Sequence, residues 1–240
     1  MGIKERQERD REAVRRAILD AARDLFVSEG YDNVSIRKIA ERVEYSPAAI
    51  YGYFPSKDDI FFALAEEGFR LLGDPASPDR QEHLKTLEPL ARIRAIFWRW
   101  YEFSREHPQY FELMFLERSV PRISREYERF SFALETKRRL LAEIERCIDA
   151  KVFPPTVKPG VAMRLLTVGL LGVVVLSLSE RLGPGEDPDQ LASDVLDTTL
   201  AGLRAGIPLT SRGVDLDGSP RPITDTAGAR ALTPASSRSR

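Results

Sequence analysis

Apolar residues recur at steps of three and four along almost the whole chain, and this spacing constrains the fold more than any other feature. Near the N-terminus, for example, Val14, Ile18, Ala22 and Leu25 form one apolar stripe of a helix. No run shows the sustained alternation of a half-buried strand, and no Asn-Gly or Asp-Gly pair lies between two apolar runs. The sequence therefore predicts an all-α fold of about nine helices.

Three of these helices fall within the first 56 residues and are predicted to form a helix-turn-helix. The first runs from about Glu12 to Ser28, and Gly30 follows it as a C-terminal glycine. The second begins near Ser35, and Glu44-Tyr45-Ser46 forms a three-residue turn before the third, which has Pro47 at its first position. In such a unit the last helix enters the major groove of DNA and its N-terminal residues meet base edges.

The rest of the chain is predicted to form a second helical domain over residues 57–205, after a DNA-binding domain over residues 1–56. Its helices are expected from Ser56 to Gly73, Leu84 to His107, Gln109 to Glu117, Pro121 to about Lys151, Gly160 to Arg181 and Asp189 to Ala205. Residues 206–240 are rich in Gly, Pro, Ser, Thr and Arg but poor in large apolar residues, and we expect them not to fold.

Charge and cysteine content limit the possible classes of protein. The 36 basic and 37 acidic side chains nearly cancel, so a nucleic-acid role has to rest on local geometry. A single cysteine, Cys147, excludes an internal disulfide, and the charged N-terminus lacks the apolar core of a signal peptide; both indicate a cytoplasmic protein. The apolar run from Leu165 to Leu178 is shorter than the roughly 20 residues of a membrane span, so a buried helix is expected and no membrane partner.

No catalytic site, metal site or cofactor site is predicted. Cys147 has no partner nearby in sequence, and His83 and His107 lack the spacing of metal ligands. The Gly-Pro-Gly run at residues 183–185 has neither the lysine nor the preceding strand of a phosphate-binding loop. Two non-enzyme classes remain open at this point, namely a DNA-binding regulator and a helical adaptor that binds only protein.

The segment around the predicted turn resembles the TetR family of transcriptional regulators. The resemblance rests on Gly30-Tyr31 before the second helix, on Ile39-Ala40 within it and on the run Ile-Tyr-Gly-Tyr-Phe-Pro-Ser-Lys at residues 50–57. It covers about residues 14–64. The resemblance implies a dimeric, ligand-responsive regulator, usually a repressor, that binds a palindromic operator and is released from it by a small hydrophobic effector.

The resemblance also implies roles for nine residues of the helix-turn-helix. The expected phosphate contacts are made by Ser35, Tyr51, Tyr53 and Lys57. Arg37 is expected to contact a base from the second helix. The residues expected to contact bases from the turn and the third helix are Tyr45, Ser46, Pro47 and Ala48. Two alternatives stay open: the two tyrosines can be ordinary half-buried helix residues, and Arg37 with Lys38 and Arg42 can be a solvated face.

The turn departs from the family's usual sequence. Glu44 stands where a small residue or glycine is common, and Tyr45 replaces a small aliphatic residue. Because an acid near phosphate is unfavourable, we expect Glu44 to point away from DNA or to pair with a neighbouring arginine. The basic residues before position 17 can add sequence-independent affinity, or they can be a frayed extension diluted by acids.

The second domain is expected to hold the effector and the dimer contact. Aromatic residues between 97 and 132 form core, with some lining an apolar pocket; the candidates are Trp100, Tyr101, Phe111, Met114, Phe115, Phe130, Met163 and Thr167. The last two helices are predicted to pair with those of a second copy, through Gly169, Gly172, Leu191, Val195, Thr198, Thr199 and Gly202. One chain's own core explains the same apolarity and remains the alternative.

Overall fold

The computed structural model describes residues 2–73, 78–117, 120 and 131–211, and within them regular structure is entirely helical. The α-helices are α1 (Ile3–Glu29), α2 (Ile36–Arg42), α3 (Pro47–Tyr51), α4 (Lys57–Gly73), α5 (Pro78–Thr86), α6 (Pro89–Glu106), α7 (Pro108–Phe111), α8 (Ser131–Asp149), α9 (Pro159–Leu178) and α10 (Pro188–Ala205). The all-α prediction is therefore confirmed, with ten helices in the described residues.

The helix-turn-helix forms because its short helices are capped by their own side chains. The Ser35 hydroxyl accepts a hydrogen bond from the Lys38 N–H at 3.2 Å at the start of α2, and Ser46 does the same for Ala49 at the start of α3. Pro47 takes the first position of α3, where its missing N–H costs nothing. The helices then close on a buried core that includes Ile18, Phe26, Ile39 and Ile50.

Three predicted boundaries are wrong. Helix α1 begins at Ile3 instead of Glu12, so the basic N-terminal segment continues the helix. The helix predicted from Leu84 to His107 is two helices, because Pro89 starts α6 and Glu88 before it is extended (φ −57°, ψ 149°). The short helix predicted to Glu117 stops at Phe111 and continues as a π-helical turn, Glu112–Leu116. The predicted start of a helix at residue 121 lies outside the described residues.

Helix α9 is the most apolar element and packs against α10, α8 and α6. It runs from Pro159 to Leu178 and so has 20 residues, against the predicted span from Gly160 to Arg181. By length and composition it could cross a bilayer, and 39% of its most apolar window is buried inside the protein. Val161, Leu166, Leu170 and Val173 form its buried face.

An arginine cluster joins α1 to the helices that follow the helix-turn-helix. Arg16 donates to both carboxylate oxygens of Glu67 on α4 at 2.6 Å, to Asp20 at 2.7 and 3.1 Å, and to the Tyr110 hydroxyl on α7 at 3.3 Å. Arg23 lies over the Tyr110 ring, 5.4 Å from its centroid. The same region is closely packed, because a Cβ on Gly68 of α4 would collide with the sulfur of Met114.

Candidate nucleic-acid interface and effector domain

The turn and the front of α3 form an exposed surface held from behind by buried side chains. Tyr45 and Tyr51 are 44% and 54% exposed, and Ser46, Pro47 and Ala48 are also exposed. On the opposite side of this short helix, Ile50 and Phe54 are buried in the core. The predicted base-contacting residues thus lie together on one solvent-facing surface. Tyr51 is not the half-buried residue of the alternative interpretation.

Helix α2 contributes Ser35 and Arg37 to the neighbouring surface. Ser35 is exposed although its hydroxyl already caps the helix. Arg37 is 81% exposed and pairs with Glu41 one turn later, at 3.0 Å. An exposed pair of this kind contributes little to stability, so the guanidinium is free to exchange Glu41 for another acceptor.

Glu44 occupies a position whose backbone favours glycine. Its φ is +59°, in the left-handed region that residues other than glycine rarely adopt. It directly follows Val43, the C-cap residue of α2. The carboxylate is exposed, and among the residues that the structure describes no ion pair involves it. The family's usual glycine at this place was the sequence signal for this conformation. Of the two alternatives predicted for Glu44, pointing away from DNA or pairing with an arginine, the described residues show no arginine pair.

Tyr53 and Lys57 lie at the edge of this surface and are half-buried. The Lys57 ammonium donates to the Tyr31 carbonyl at 2.8 Å and lies 4.0 Å from the centroid of the Tyr31 ring. Arg11 on α1 lies 5.6 Å from the centroid of the Tyr53 ring. Lys57 is thus engaged within the protein, which sequence reasoning missed because Tyr31 is distant in sequence.

The N-terminal part of α1 also reaches this surface. Arg15 lies 5.2 Å from the centroid of the Phe54 ring, next to Arg11 over Tyr53. These stacked guanidinium groups fix the orientation of the basic segment relative to the helix-turn-helix. Arg11 and Arg15, two of the basic residues before position 17, therefore join the candidate surface.

Three of the predicted effector residues form one closely packed aromatic cluster. The ring centroids of Trp100, Phe111 and Phe115 are 4.8 to 5.3 Å apart. Met114 lies on the same π-helical turn but is buried with its sulfur against Gly68. Because these rings fill the space between α6 and α7, an effector at this place would have to move them apart.

The remaining predicted effector residues are elsewhere. The Tyr101 hydroxyl donates to Asp189 on α10 at 2.7 Å, and burial together with this hydrogen bond raises the pKa of Tyr101. Thr167 donates to the Met163 carbonyl one turn earlier in α9, at 2.8 Å. Phe130 lies outside the described residues.

Two small cavities are present in the described part of the protein. One, of about 190 Å³, lies between the end of α1 and the π-helical turn, and burial raises the pKa of Glu112 on its wall. The other, of about 160 Å³, lies between α8 and α9, and Met163 is part of its lining.

The predicted dimer residues fall into two groups. A Cβ on Gly169 would lie 2.7 Å from Cγ1 of Val195, so this glycine receives a side chain of the same protein's α10. Gly202 is similarly close to Ile207, and Leu191, Val195 and Thr199 are half-buried. Gly172 has open space around it, and Thr198 is exposed. The notch at Gly169 thus serves packing within one chain.

Helix α9 carries an apolar stripe on its solvent side. Leu165, Val168 and Leu176 are 37%, 53% and 37% exposed, and Gly172 lies between them. These residues are spaced by three or four, so they lie on one face of the helix. Large apolar side chains exposed in a row are typical of a surface that another molecule covers.

The described residues hold no cluster of three potential metal ligands. Cys147 is buried, and burial with the nearby charge of Glu143 raises the pKa of its thiol to about 11. A thiol that is protonated at neutral pH is a poor nucleophile. The described side chains thus contain no evident metal-binding or thiol chemistry.

Together, a capped helix-turn-helix with an exposed tip and a helical domain joined to it through α1 and α4 define a helix-turn-helix DNA-binding protein. Comparison with known proteins agrees. Residues 18–64 match the domain described as bacterial regulatory proteins, tetR family, and residues 93–199 match the tetracyclin repressor-like C-terminal domain. The chain belongs to the TetR family of transcriptional regulators, whose members are DNA-binding regulatory proteins and not enzymes.

Individual relatives match either a short stretch of the sequence or the fold. The HTH-type transcriptional repressor Rv1474c of Mycobacterium tuberculosis is 42% identical over 65 residues, which are 27% of this chain and only about a third (35%) of that repressor's length. The regulator FadR of Bacillus subtilis in complex with stearoyl-CoA has a TM-score of 0.61 at 18% identity, with 78% of this chain and 97% of that chain covered. AibR in complex with isovaleryl coenzyme A and operator DNA has a TM-score of 0.59 at 19% identity, with 77% of this chain and 96% of that chain covered.

Proposed function

We propose that this protein is a homodimeric, effector-responsive repressor that binds a palindromic operator in the major groove and acts in the cytoplasm. The observation that carries the proposal is the tip of the helix-turn-helix, where Tyr45, Ser46, Pro47, Ala48 and Tyr51 are exposed together on a helix anchored from behind. The curated relative Rv1474c is itself named a transcriptional repressor, which supports repression.

Operator binding would divide between backbone anchoring and base reading. The Tyr51 and Tyr53 hydroxyls, Ser35 and the N-terminus of α2 are suited to phosphate oxygens, which position the protein without reading sequence. Pro47 and Ala48 have no side-chain donors. Base reading would therefore rest on apolar contact with thymine methyl groups and on polar contacts from Arg37 and Tyr45. Lys57 contributes its charge from the edge, since its ammonium is already bonded to Tyr31.

The proposed dimer forms through α9 and α10. The exposed apolar stripe of α9, with Gly172 within it, supports this, and Thr198 of the adjacent helix α10 is also exposed. Two helices from each copy make a four-helix interface with twofold symmetry. Such a dimer presents two copies of α3 to two half-sites of a palindrome.

The proposed effector is a small molecule with a hydrophobic part that binds in the second domain. The ring cluster of Trp100, Phe111 and Phe115 lies next to Met114, which packs on α4, so separating the rings would displace α4. An effector can weaken operator binding only if it binds the displaced conformation more tightly. Because FadR and AibR were solved with acyl thioesters of coenzyme A, stearoyl-CoA and isovaleryl coenzyme A are the first compounds to test.

The decisive experiment is an electrophoretic mobility shift with DNA from upstream of the protein's own gene. We expect a specific complex that survives excess random DNA at moderate salt and dissociates when an effector is added. The Tyr51→Ala variant should bind the same fragment about tenfold more weakly, because it lacks a hydroxyl suited to phosphate. If no upstream fragment is bound in preference to random DNA, the chain is not an operator-binding repressor, and the helical adaptor becomes the better interpretation.

A further inference from the structure

The cavity between α8 and α9 combines two cationic side chains with an apolar lining. Lys137 on α8 and Arg164 on α9 both contribute to its wall. Val161, Met163 and Leu165 provide the apolar part of the lining. Gly160, in the first turn of α9, also lines the cavity. Its volume of about 160 Å³ is well below the roughly 300 Å³ at which pockets begin to hold whole drug-sized ligands. It therefore fits a head group with a short apolar portion.

The two cations are distinguished by having no carboxylate partner among the described residues. This contrasts with α6, where every arginine is paired: Arg92 with Glu143, Arg94 with Asp197, Arg99 with Glu106 and Arg105 with Asp189. Lys137 and Arg164 come from two different helices and meet at one cavity. Their charges are thus available to a bound anion.

The first turn of α9 increases the positive potential of this cavity. The helix is 20 residues long, and its N-terminus carries the partial positive charge of the helix dipole. Pro159 has no N–H, and the N–H groups of Val161 and Ala162 are turned to the Lys158 carbonyl at 3.0 Å. The dipole therefore adds to the field of Lys137 and Arg164, and those side chains supply the direct contacts.

We propose that this cavity binds the phosphate head group of an amphiphilic effector, with the apolar part of the ligand lying against Met163. A phosphate monoester carries a charge of nearly −2 near neutral pH, which two cations neutralise, whereas a carboxylate would leave one positive charge unbalanced. Met163 is also among the predicted effector residues, and it lines this cavity, whereas the ring cluster of Trp100, Phe111 and Phe115 lies between α6 and α7. The inference rests on the proposed effector-responsive function and specifies the ligand's head group.

The test measures binding of hexyl phosphate to the full-length protein by isothermal titration calorimetry, beside hexan-1-ol and inorganic phosphate. We expect hexyl phosphate to bind more tightly than either fragment, because only it fills both the cationic and the apolar part. Lys137→Gln and Arg164→Gln should each weaken its binding roughly fivefold, and the double variant by more than tenfold. The matched control Arg138→Gln removes a neighbouring cation of α8 that is not part of the lining, and should leave binding unchanged.

Coenzyme A and stearoyl-CoA, titrated in the same way, distinguish a nucleotide-borne phosphate from a simple alkyl phosphate. The proposal is overturned if hexyl phosphate binds the double variant as tightly as the unaltered protein, or if hexan-1-ol binds equally well. Mobility shifts of the same variants without ligand should show normal operator binding. A protein that binds hexyl phosphate but no operator would contradict the proposed repressor and leave the phosphate site standing.

Discussion

Glu44 combines two unfavourable features at a single residue. Its backbone is left-handed at φ +59°, which costs a side chain about 1 kcal/mol, and its carboxylate lies at the negative C-terminal end of the α2 dipole. A residue kept under strain at the tip of a DNA-binding surface points to a role in DNA recognition. An acid at this place would penalise every sequence through phosphate repulsion and so limit nonspecific binding.

We therefore predict that Glu44→Gly raises both the stability and the DNA affinity of the protein. The free energy of unfolding should rise by about 1 kcal/mol, since glycine relieves the backbone strain and the charge is lost. Chemical denaturation and binding to operator and random DNA provide the measurements. Glu44→Gln removes the charge alone and should raise DNA affinity with a smaller gain in stability. Equal stability of Glu44→Gly and the unaltered protein would contradict the strain argument.

Tyr51 and Ala48 lie one turn apart on α3, and we predict that their substitutions have different effects. Tyr51→Ala removes a hydroxyl suited to phosphate and should weaken binding to all DNA sequences alike, by about tenfold. Ala48→Ser places a donor at the front of the helix and should change the preferred base at one position of each half-site. Binding to a panel of single-base operator variants measures both. If Tyr51→Ala changes the preference and Ala48→Ser does not, the two roles must be exchanged.

At the scale of elements, the cluster around Arg16 ties α1 to α4 and α7. The guanidinium is shared by Glu67, Asp20 and Tyr110, which lie on three different helices. Its five N–H donors spread over a planar fork and so reach acceptors on separate helices, a geometry that the compact ammonium of a lysine does not offer. Because α1 also packs against α2, a displacement of α4 or α7 would be transmitted to the helix-turn-helix. This cluster is therefore one polar connection between the two parts of the molecule.

The protonation of Asp20 gives this connection a pH dependence. Partial burial by itself raises the pKa of Asp20, but the hydrogen bonds and charge of Arg16, with Arg23, outweigh it and hold the pKa below the ordinary 3.8. A lowered pKa in the folded state stabilises the fold above the ordinary pKa, and this contribution is lost as pH falls through the folded value. We predict that Asp20→Asn is less stable than the unaltered protein at pH 7, and that the difference shrinks below pH 3.8.

Denaturant unfolding across this pH range measures the effect. The control is Asp24→Asn, since the ion pair of Asp24 among the described residues is with Arg23 and its carboxylate makes no hydrogen bond to Arg16. A stability difference for Asp20→Asn that stays constant down to pH 2 would mean that Asp20 contributes through packing and not through its charge.

For the whole molecule, local sequence signals predicted the helix-turn-helix well and contacts between distant residues poorly. Capping serines and Pro47 act within four residues, so the cap at Ser46 and the approximate start of α2 could be placed from sequence alone. The pairing of Arg16 with Glu67 spans 51 residues and has no local signature. The notch at Gly169 was recognised as a place of close packing, but only the fold shows that Val195 of the same chain fills it.

The exposed stripe on α9 leads to a prediction about assembly. Val168 is 53% exposed in the single chain, yet it lies in the middle of the apolar face that the proposed dimer buries. Val168→Glu should leave the fold of each chain intact, because the new side chain has room in the monomer. It should disrupt the dimer, because a carboxylate buried between two apolar faces has no partner. Light scattering should then report a monomer. Operator affinity should fall more than a hundredfold, because each monomer binds a single half-site through one helix-turn-helix.

Ala142→Glu is the matched control, since it introduces the same charge at an exposed position of α8. We expect it to remain dimeric and to bind operator normally. The Gly172→Ala variant is a finer probe, because a Cβ there meets no described residue within 4 Å, so a change in the dimer dissociation constant would report a second copy packed on the same face. If Val168→Glu stays dimeric with full operator affinity, the two copies associate through another surface, and the apolar stripe of α9 must be assigned to a different partner.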